Sequence, residues 1–446
     1  MKKKKIAMIC SRLGRTDGVS LEMLKWFWVL SEQGHEVIFI LGEKYPDDDG
    51  CFVRDKSIIH PKFNSAWKKS FLVPEMKIKN KTNQITFNKI FIKNKFNEKI
   101  KETIETSAKK IEKKIEKILK DKKIDIIIAE NYSLPMTLST SVAMTSLVKK
   151  GYKTIYHNHD FWWERKQYKG KIDEYLLDNC PHISENALQV VINKKQLKWM
   201  NTKSKKLKNN VILIQNVFDI TWKNKKVKYE VNALKKLLGV KDEEIVILAP
   251  ARIVKRKNLE AAIDLIKIID NGAKLLVSGY PTEDRHLTYF NHLKKYAKQK
   301  GVEDRVIFMW EIIRCARKKN CPIKPSLFDA YNLADMVVYP SLYEGFGNAF
   351  IESVFEEEVI LINRYEIYDS DLRPMGFKAI EIKNGKMTQK AGEEVKKYLI
   401  KLNKGKEKSV IARRNKMIKN NLKIGKEKLS KKVLNKKLKE ALKLIN

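Results

Sequence analysis

Tyr339-Pro340-Ser341-Leu342-Tyr343-Glu344-Gly345-Phe346-Gly347-Asn348-Ala349-Phe350-Ile351-Glu352-Ser353-Val354 is the stretch around which the rest of the chain can be organised. The apolar run Met336 to Tyr339 reads as a short buried strand and delivers Glu344 just beyond its end. Gly345 and Gly347 let the backbone come close to a ligand, and a helix beginning near Asn348 turns its free N–H groups toward the loop. A strand, a glycine loop and a helix N-terminus together make a site for an anion. Glu352 lies two helical turns further on, so one carboxylate of the Glu344-x7-Glu352 pair is placed to reach a sugar and the other a ribose.

Working outward, the same strand and helix rhythm recurs on both sides. Downstream of residue 220 the strands are Ile245 to Leu248, Lys274 to Ser278, Val306 to Met309, Met336 to Tyr339 and Val359 to Ile362. Upstream they are Ile6 to Cys10, Val37 to Leu41, Ile124 to Ala129, Thr154 to Tyr156 and Val211 to Ile214. A helix from Leu21 to Gln33, with Leu21, Leu24, Trp28 and Leu30 on its packed face, closes the first βαβ unit, and Gly34 stops it. Such units build parallel sheets, so the chain reads as α/β with two Rossmann-like halves. The boundaries expected are 1–219, 220–403 and a basic helical tail over 404–446.

Two segments are strongly basic. Residues 87–123 place Ile100, Ile104, Ile111, Ile115 and Leu119 at helical spacing among lysines, and the tail does the same with Leu434, Leu438, Leu442 and Ile445. Both are expected to pack back on the body, with an anionic membrane surface as the alternative partner. The whole chain carries 92 Lys and Arg against 53 Asp and Glu, a net charge of +39. That excess attracts anions of any kind, but the cations are mostly Lys and lack the Arg and aromatic alternation of a base-stacking surface, so no specific nucleic acid is expected. No run approaches 18 apolar residues, which argues against a spanning helix. Met1 to Cys10 is too short in its apolar part for a leader and reads as a first strand. Cys10, Cys51, Cys180, Cys315 and Cys321 are odd in number and have no zinc-ribbon spacing, as expected of reduced thiols in a cytoplasm.

The Glu344 stretch resembles the signature of the retaining glycosyltransferases of family 4, in which a Glu-x7-Glu pair sits in this strand, glycine loop and helix setting. Supporting segments span most of the chain. Arg252 and Lys257 match a family Arg and Lys five residues apart, directly after a strand; His157 or His159 matches a histidine at a strand end of the N-terminal half. Gly14 to Ser20 resembles the family's first glycine loop, Gln215-Asn216-Val217 the segment before its linker, and Leu276 to Gly279 a strand-to-glycine turn. The resemblance implies a GT-B fold, two facing Rossmann-like domains with a cleft between them. It implies that Glu344 contacts the donor sugar, that Gly345, Phe346, Gly347 and Asn348 offer backbone N–H groups, and that Glu352 holds the ribose. Arg252 and Lys257 would grip the diphosphate, and Gly18 would face it. His159, or His157, would lie beside the transferred sugar. Trp162, Trp163 and Asp160 would meet the acceptor, the two tryptophans having core packing as their other reading.

This chain departs from the family where Phe355-Glu356-Glu357-Glu358 replaces a small-residue helix end. Asp47-Asp48-Asp49 and Asp369-Ser370-Asp371 resemble metal-binding acids, yet the fold class needs no metal, and metal independence is expected. The resulting expectation is transfer of a hexose from a nucleotide-sugar donor, with retention, to a sugar, lipid-linked or small anionic acceptor. It would take place in the cytoplasm or at the inner membrane face and need no cofactor. The rivals are a sugar-nucleotide epimerase or sugar phosphorylase on the same scaffold, and a non-enzymatic basic scaffold.

Overall fold

The structure, a computed structural model, describes residues 2–14, 17–45, 60–203, 210–218, 228–281, 287–313 and 325–445. Asp47 to Asp49, Cys51, Cys315, Cys321 and the lysines Lys223, Lys225 and Lys226 lie outside the described residues. The chain divides into two compact units, Met1–Asn216 with Lys431–Asn446, and Val217–Ser430.

The first unit is a parallel sheet of seven strands: β1 (Lys5–Leu13), β2 (Glu36–Lys44), β3 (Phe71–Leu72), β4 (Ile126–Glu130), β5 (Thr154–Asn158), β6 (Ala187–Val191) and β7 (Val211–Leu213). Their order is β3-β2-β1-β4-β5-β6-β7. The chain walks outward from β1 to β3, then returns to lay β4 against the other side of β1. The second unit holds six parallel strands: β8 (Val246–Ala249), β9 (Lys274–Val277), β10 (Val306–Phe308), β11 (Met336–Tyr339), β12 (Ile360–Arg364) and β13 (Ile380–Lys383). Here the order β10-β9-β8-β11-β12-β13 reverses between β8 and β11. Both sheets are wound on both faces, so Ile6, Ala7, Met8 and Ile9 of β1 and all of β8 are fully buried and read as continuous apolar runs. In each sheet the reversal point parts two adjacent loops at the carboxyl edge, and a ligand can enter between them.

Three strands escaped the sequence reading. β3 is two residues long, β13 is a short Ile-Glu-Ile-Lys edge, and β6 has Gln189 at its centre. Gln189 is nevertheless fully buried, because its amide receives Asn158 Nδ2 at 3.0 Å and donates to the His182 carbonyl at 2.9 Å. The first helix, Gly18–Glu32, starts three residues earlier than expected, because the Asp17 side chain accepts the Ser20 N–H and caps it. Its packed face is Met23, Leu24, Trp26, Phe27, Val29 and Leu30, which corrects the assignment of Trp28 and Leu21 to that face.

Both basic helices use their apolar stripes inside the protein. In Glu98–Lys122 the residues Ile100, Ile104, Ala108, Ile111, Ile115 and Leu119 are buried. Ile111, Ile115 and Leu119 share one core with Ala143, Met144 and Leu147 of the helix Leu138–Lys149 and with Ile127 of β4. The tail is two helices that part company: Glu407–Lys428 stays with the second unit, whereas Lys431–Leu444 joins the first. There Leu434, Leu438 and Leu442 are buried, and Lys431 pairs with Glu32 at 3.0 Å. No described helix is long and apolar enough to cross a membrane.

Candidate active site

The second unit gathers its chemistry where the strand order reverses. After β8 the chain runs from Pro250 to a single tight turn, Lys255–Lys257, which ends in Asn258 at φ 51. The Asn258 amide donates to the carbonyls of Pro340 (3.2 Å) and Gly385 (2.8 Å), and the Leu342 N–H donates to the Arg256 carbonyl at 2.8 Å. The loop after β8 is thereby stitched to the loop after β11. Gly279 shows how tightly the first loop is seated: a Cβ there would lie 2.5 Å from the Ala251 carbonyl oxygen and 2.6 Å from the Arg252 Cα.

Across this seam Glu344 meets two cations. Lys257 Nζ lies 2.5 Å from one carboxylate oxygen and Arg256 Nη1 2.6 Å from the other. All three are shielded, and Lys257 Nζ also sits 4.9 Å over the Tyr339 ring. Burial alone would raise the Glu344 carboxyl, but Lys257 and Arg256 outweigh it and hold the group at about 2. Burial pushes the Lys257 ammonium down, and Glu344 offsets part of that push. The result is a cluster of net charge +1, preformed at the mouth of a helix.

That helix is Asn348–Phe355. Gly347 precedes it at φ 126, and a Cβ there would lie 2.3 Å from the Tyr365 hydroxyl oxygen. The same hydroxyl donates to the Phe346 carbonyl at 2.9 Å, so Tyr365 fixes the loop while leaving room only for glycine. Phe346 is 2% exposed, and its ring is core; only its backbone is left to meet a ligand. Glu352 is half-buried on the helix, with the Tyr331 hydroxyl 3.4 Å from its carboxylate.

The structure thus brings Glu344 and Lys257 together and adds Arg256 to them, while Arg252 is near enough to Lys257 to help push its ammonium down. Arg252 is exposed, four residues nearer the strand than Arg256. Arg256 was legible only as one more cation in Lys255-Arg256-Lys257; what singles it out is the turn that directs it at Glu344. Of the Asp369-Ser370-Asp371 run, Asp369 accepts both Arg364 Nε (2.8 Å) and Nη2 (3.2 Å), and Asp371 is buried and accepts the Ser370 hydroxyl.

The first unit has its own polar focus, at the carboxyl ends of β4 and β5, one strand over from the reversal between β1 and β4. Glu130 ends β4, and in the parallel register it stands beside His157 of β5. His157 Nδ1 is 3.0 Å and His159 Nε2 3.5 Å from the same Glu130 oxygen, and all three residues are buried. The Trp26 indole stacks on His157 with ring centroids 4.0 Å apart. Asn131, at φ 58, accepts the N–H groups of His159 (3.1 Å) and Asp160 (3.2 Å), which holds the chain as it leaves the strand. Burial raises the Glu130 carboxyl and drives His157 down to about 3, so both imidazoles are neutral at pH 7. Glu130 was visible in the sequence as a polar strand end, but only the pairing of β4 with β5 joins it to the histidines.

The remaining N-terminal residues divide. Trp162 is 3% exposed among Leu134, Leu138 and Tyr168, which corrects the expectation that it forms an acceptor platform. Trp163 is half-buried and stacks on Trp199, with centroids 3.3 Å apart. Asp160 is partly exposed and pairs with Arg165 at 3.1 Å. Gly18 is the exposed first residue of its helix.

The model of the family described as Glycosyl transferases group 1 matches residues 230–363, the span that holds β8, the Lys255–Lys257 turn, Glu344 and Glu352. A mannosylglucosylglycerate synthase of Petrotoga mobilis is 28% identical over 411 residues, covering 84% of this chain and 86% of that one. One of Thermotoga maritima is 27% identical over 433 residues, covering 89% and 91%. Among solved structures, Anabaena Alr3699/HepE in complex with UDP and glucose superposes with a TM-score of 0.64 over 99% of both chains at 14% identity.

Proposed function

The chain is a glycosyltransferase of the GT-B fold whose second unit carries the group 1 signature, and we propose that it moves a hexosyl group, with retention, from a nucleoside diphosphate sugar to a small carboxylate-bearing sugar acceptor. The observation that carries this reading is the Glu344, Arg256 and Lys257 cluster at the reversal point of the second sheet, beside a glycine-opened helix N-terminus.

Each part has a physical task. When the bond from the anomeric carbon to the diphosphate breaks, negative charge grows on the leaving phosphate. Lys257 and Arg256, held in place before the donor arrives and screened from water, stabilise that charge without reorganising. Arg252 adds a more exposed cation. The N–H groups from Gly345 to Asn348 bind phosphate and sugar oxygens, Glu344 orients the cations and meets a sugar hydroxyl, and Glu352 takes the ribose. The acceptor hydroxyl attacks the anomeric carbon on the face the diphosphate leaves, and its proton passes to the departing phosphate oxygen. With two cations supplying the countercharge, the diphosphate needs no magnesium ion.

The relatives support this acceptor, since their names specify a mannosyl unit on glucosylglycerate. A glycoside bearing a carboxylate also suits a chain of net charge +39. In the first unit, His157, His159, Asp160 and Trp163 are the groups assigned to the transferred sugar and the acceptor.

The test is nucleoside diphosphate release from a panel of UDP-, GDP- and ADP-sugars in magnesium-free buffer, with glucosylglycerate present or absent. Release from one donor, dependent on the acceptor and lost in Lys257→Ala, is expected. Product formed without any acceptor points to an epimerase, product formed only with free phosphate points to a phosphorylase, and either result refutes the transfer reading.

A further inference from the structure

The Glu130, His157 and His159 cluster has a feature that substrate contact does not explain. Neither Glu130 oxygen, nor His157 Nδ1, nor His159 Nε2 has a hydrogen-bond partner among the described residues, although these atoms crowd together in a buried spot. The separations of 3.0 and 3.5 Å from the Glu130 oxygen are short enough for hydrogen bonds, yet the geometry at the rings does not make them. A buried carboxylate and two buried imidazoles left in this state cost several kcal/mol or more, by order of magnitude. Something must repay that cost.

We propose that Glu130, His157 and His159 bind one divalent transition-metal ion of the zinc class. One ligand atom from each residue lies within 4.8 Å of the others. The two separations measured from the carboxylate oxygen bracket the edge of a tetrahedron around zinc, about 3.3 Å for bonds of roughly 2.0 Å. The ligand set is selective: two imidazole nitrogens and one carboxylate suit zinc and its neighbours, whereas magnesium and calcium ask for oxygen shells. The fourth position is left for a water or a substrate oxygen.

The fold delivers the ligands by rule. His157 lies in β5 and His159 directly follows its last residue, so the strand's alternation carried one residue on puts both on one side, held there by Asn131, and Glu130 shares that side because it pairs with His157 across the parallel ladder. Asn158, between them, points the other way, to the Gln189 amide at 3.0 Å. Asn131 fixes the backbone of His159, and Trp26 covers His157. The ion would pin the carboxyl ends of β4 and β5 together. It belongs to the first unit, whereas the cations assigned to the donor diphosphate belong to the second, so a magnesium-free transfer and this site stand or fall separately.

The experiment uses untagged full-length protein, stripped with a chelator and then equilibrated with zinc or cobalt(II). About one metal per chain is expected, and cobalt should give the intense visible bands of a four-coordinate site. His159→Gln and Glu130→Gln should each weaken binding at least tenfold and bleach those bands, while Glu344→Gln, which leaves the cluster untouched, should bind like wild type. Circular dichroism verifies that the variants are folded. Wild type that takes up no stoichiometric metal overturns the proposal, and so does stoichiometric binding that survives in folded His159→Gln; a hydrogen-bonded Glu–His triad would then be the better description. Because the wild-type result alone can refute the site, a variant that fails to fold leaves the proposal testable.

Discussion

At the residue scale the decisive contact is that of Glu344 with Lys257 and Arg256. Removing one cation changes two things at once: the leaving phosphate loses a stabilising charge, and Glu344 loses half of its compensation. Lys257→Ala is therefore expected to lower kcat by about a hundredfold or more, measured as nucleoside diphosphate release at saturating donor. Arg256→Ala should cost about as much, whereas Arg252→Ala, at an exposed position, should act mainly through KM. A loss confined to Arg252→Ala would mean that Arg252, and not Arg256, grips the diphosphate together with Lys257. The same cluster sets a pH dependence. Glu344 is held at about 2 against an ordinary 4.5, so its contribution to stability is complete above pH 4.5 and is lost as pH falls toward 2. The contribution lost across those limits is on the order of 3 kcal/mol. Urea unfolding from pH 2 to pH 6 should show this decline, and Glu344→Gln should flatten it; an unchanged slope in the variant would mean that other carboxylates carry the acid sensitivity.

At the element scale the glycine loop that opens the helix Asn348–Phe355 is the most demanding piece of backbone. Gly347 combines φ 126 with a hydroxyl oxygen where its Cβ would go, 2.3 Å away. Gly347→Ala should destabilise the protein by about 2 kcal/mol or more, since it adds a clash to a conformation that alanine disfavours. Tyr365→Phe removes the clashing oxygen and leaves the ring, whose nearest carbon is 3.5 Å from that Cβ. In the double variant part of the loss should return, and strict additivity of the two single changes, read by thermal unfolding, would show that the hydroxyl is not the obstacle.

At the scale of the whole molecule the chain ends in the unit where it began. The helix Lys431–Leu444 buries Leu434, Leu438 and Leu442 against the first unit, and Gln33 Nε2 donates to its Asn435 carbonyl at 3.1 Å. Leu438→Ala should cost about 2–5 kcal/mol, and truncation after Ser430 should raise hydrogen exchange in the helix Gly18–Glu32. Unchanged exchange there would show that the last helix only rests on the surface. Since the apolar stripes of both basic helices face inward, any hold on an anionic membrane would have to rest on the net charge of +39. Adsorption to anionic vesicles should therefore vanish by about 0.5 M salt, where screening reaches only a few ångströms. Salt-resistant flotation would mean that one of these helices can leave its packing.

The sequence by itself determined the α/β class, the parallel sheets and the location of the Glu344 loop, because these rest on local periodicity and on glycines whose neighbours in sequence are also their neighbours in space. It also determined which helix stripes are apolar. It did not determine what covers them, since burial belongs to pairs of elements far apart in the chain. Strand pairing decided the rest. Only the adjacency of β8 and β11 turns Arg256, one cation among many, into a partner of Glu344 that lies 88 residues away. Only the register of β4 against β5 sets Glu130 beside His157, and only the return of the last helix makes the first unit discontinuous in sequence. Those outcomes depend on which strands share a sheet, a property of the folded chain that no single segment encodes.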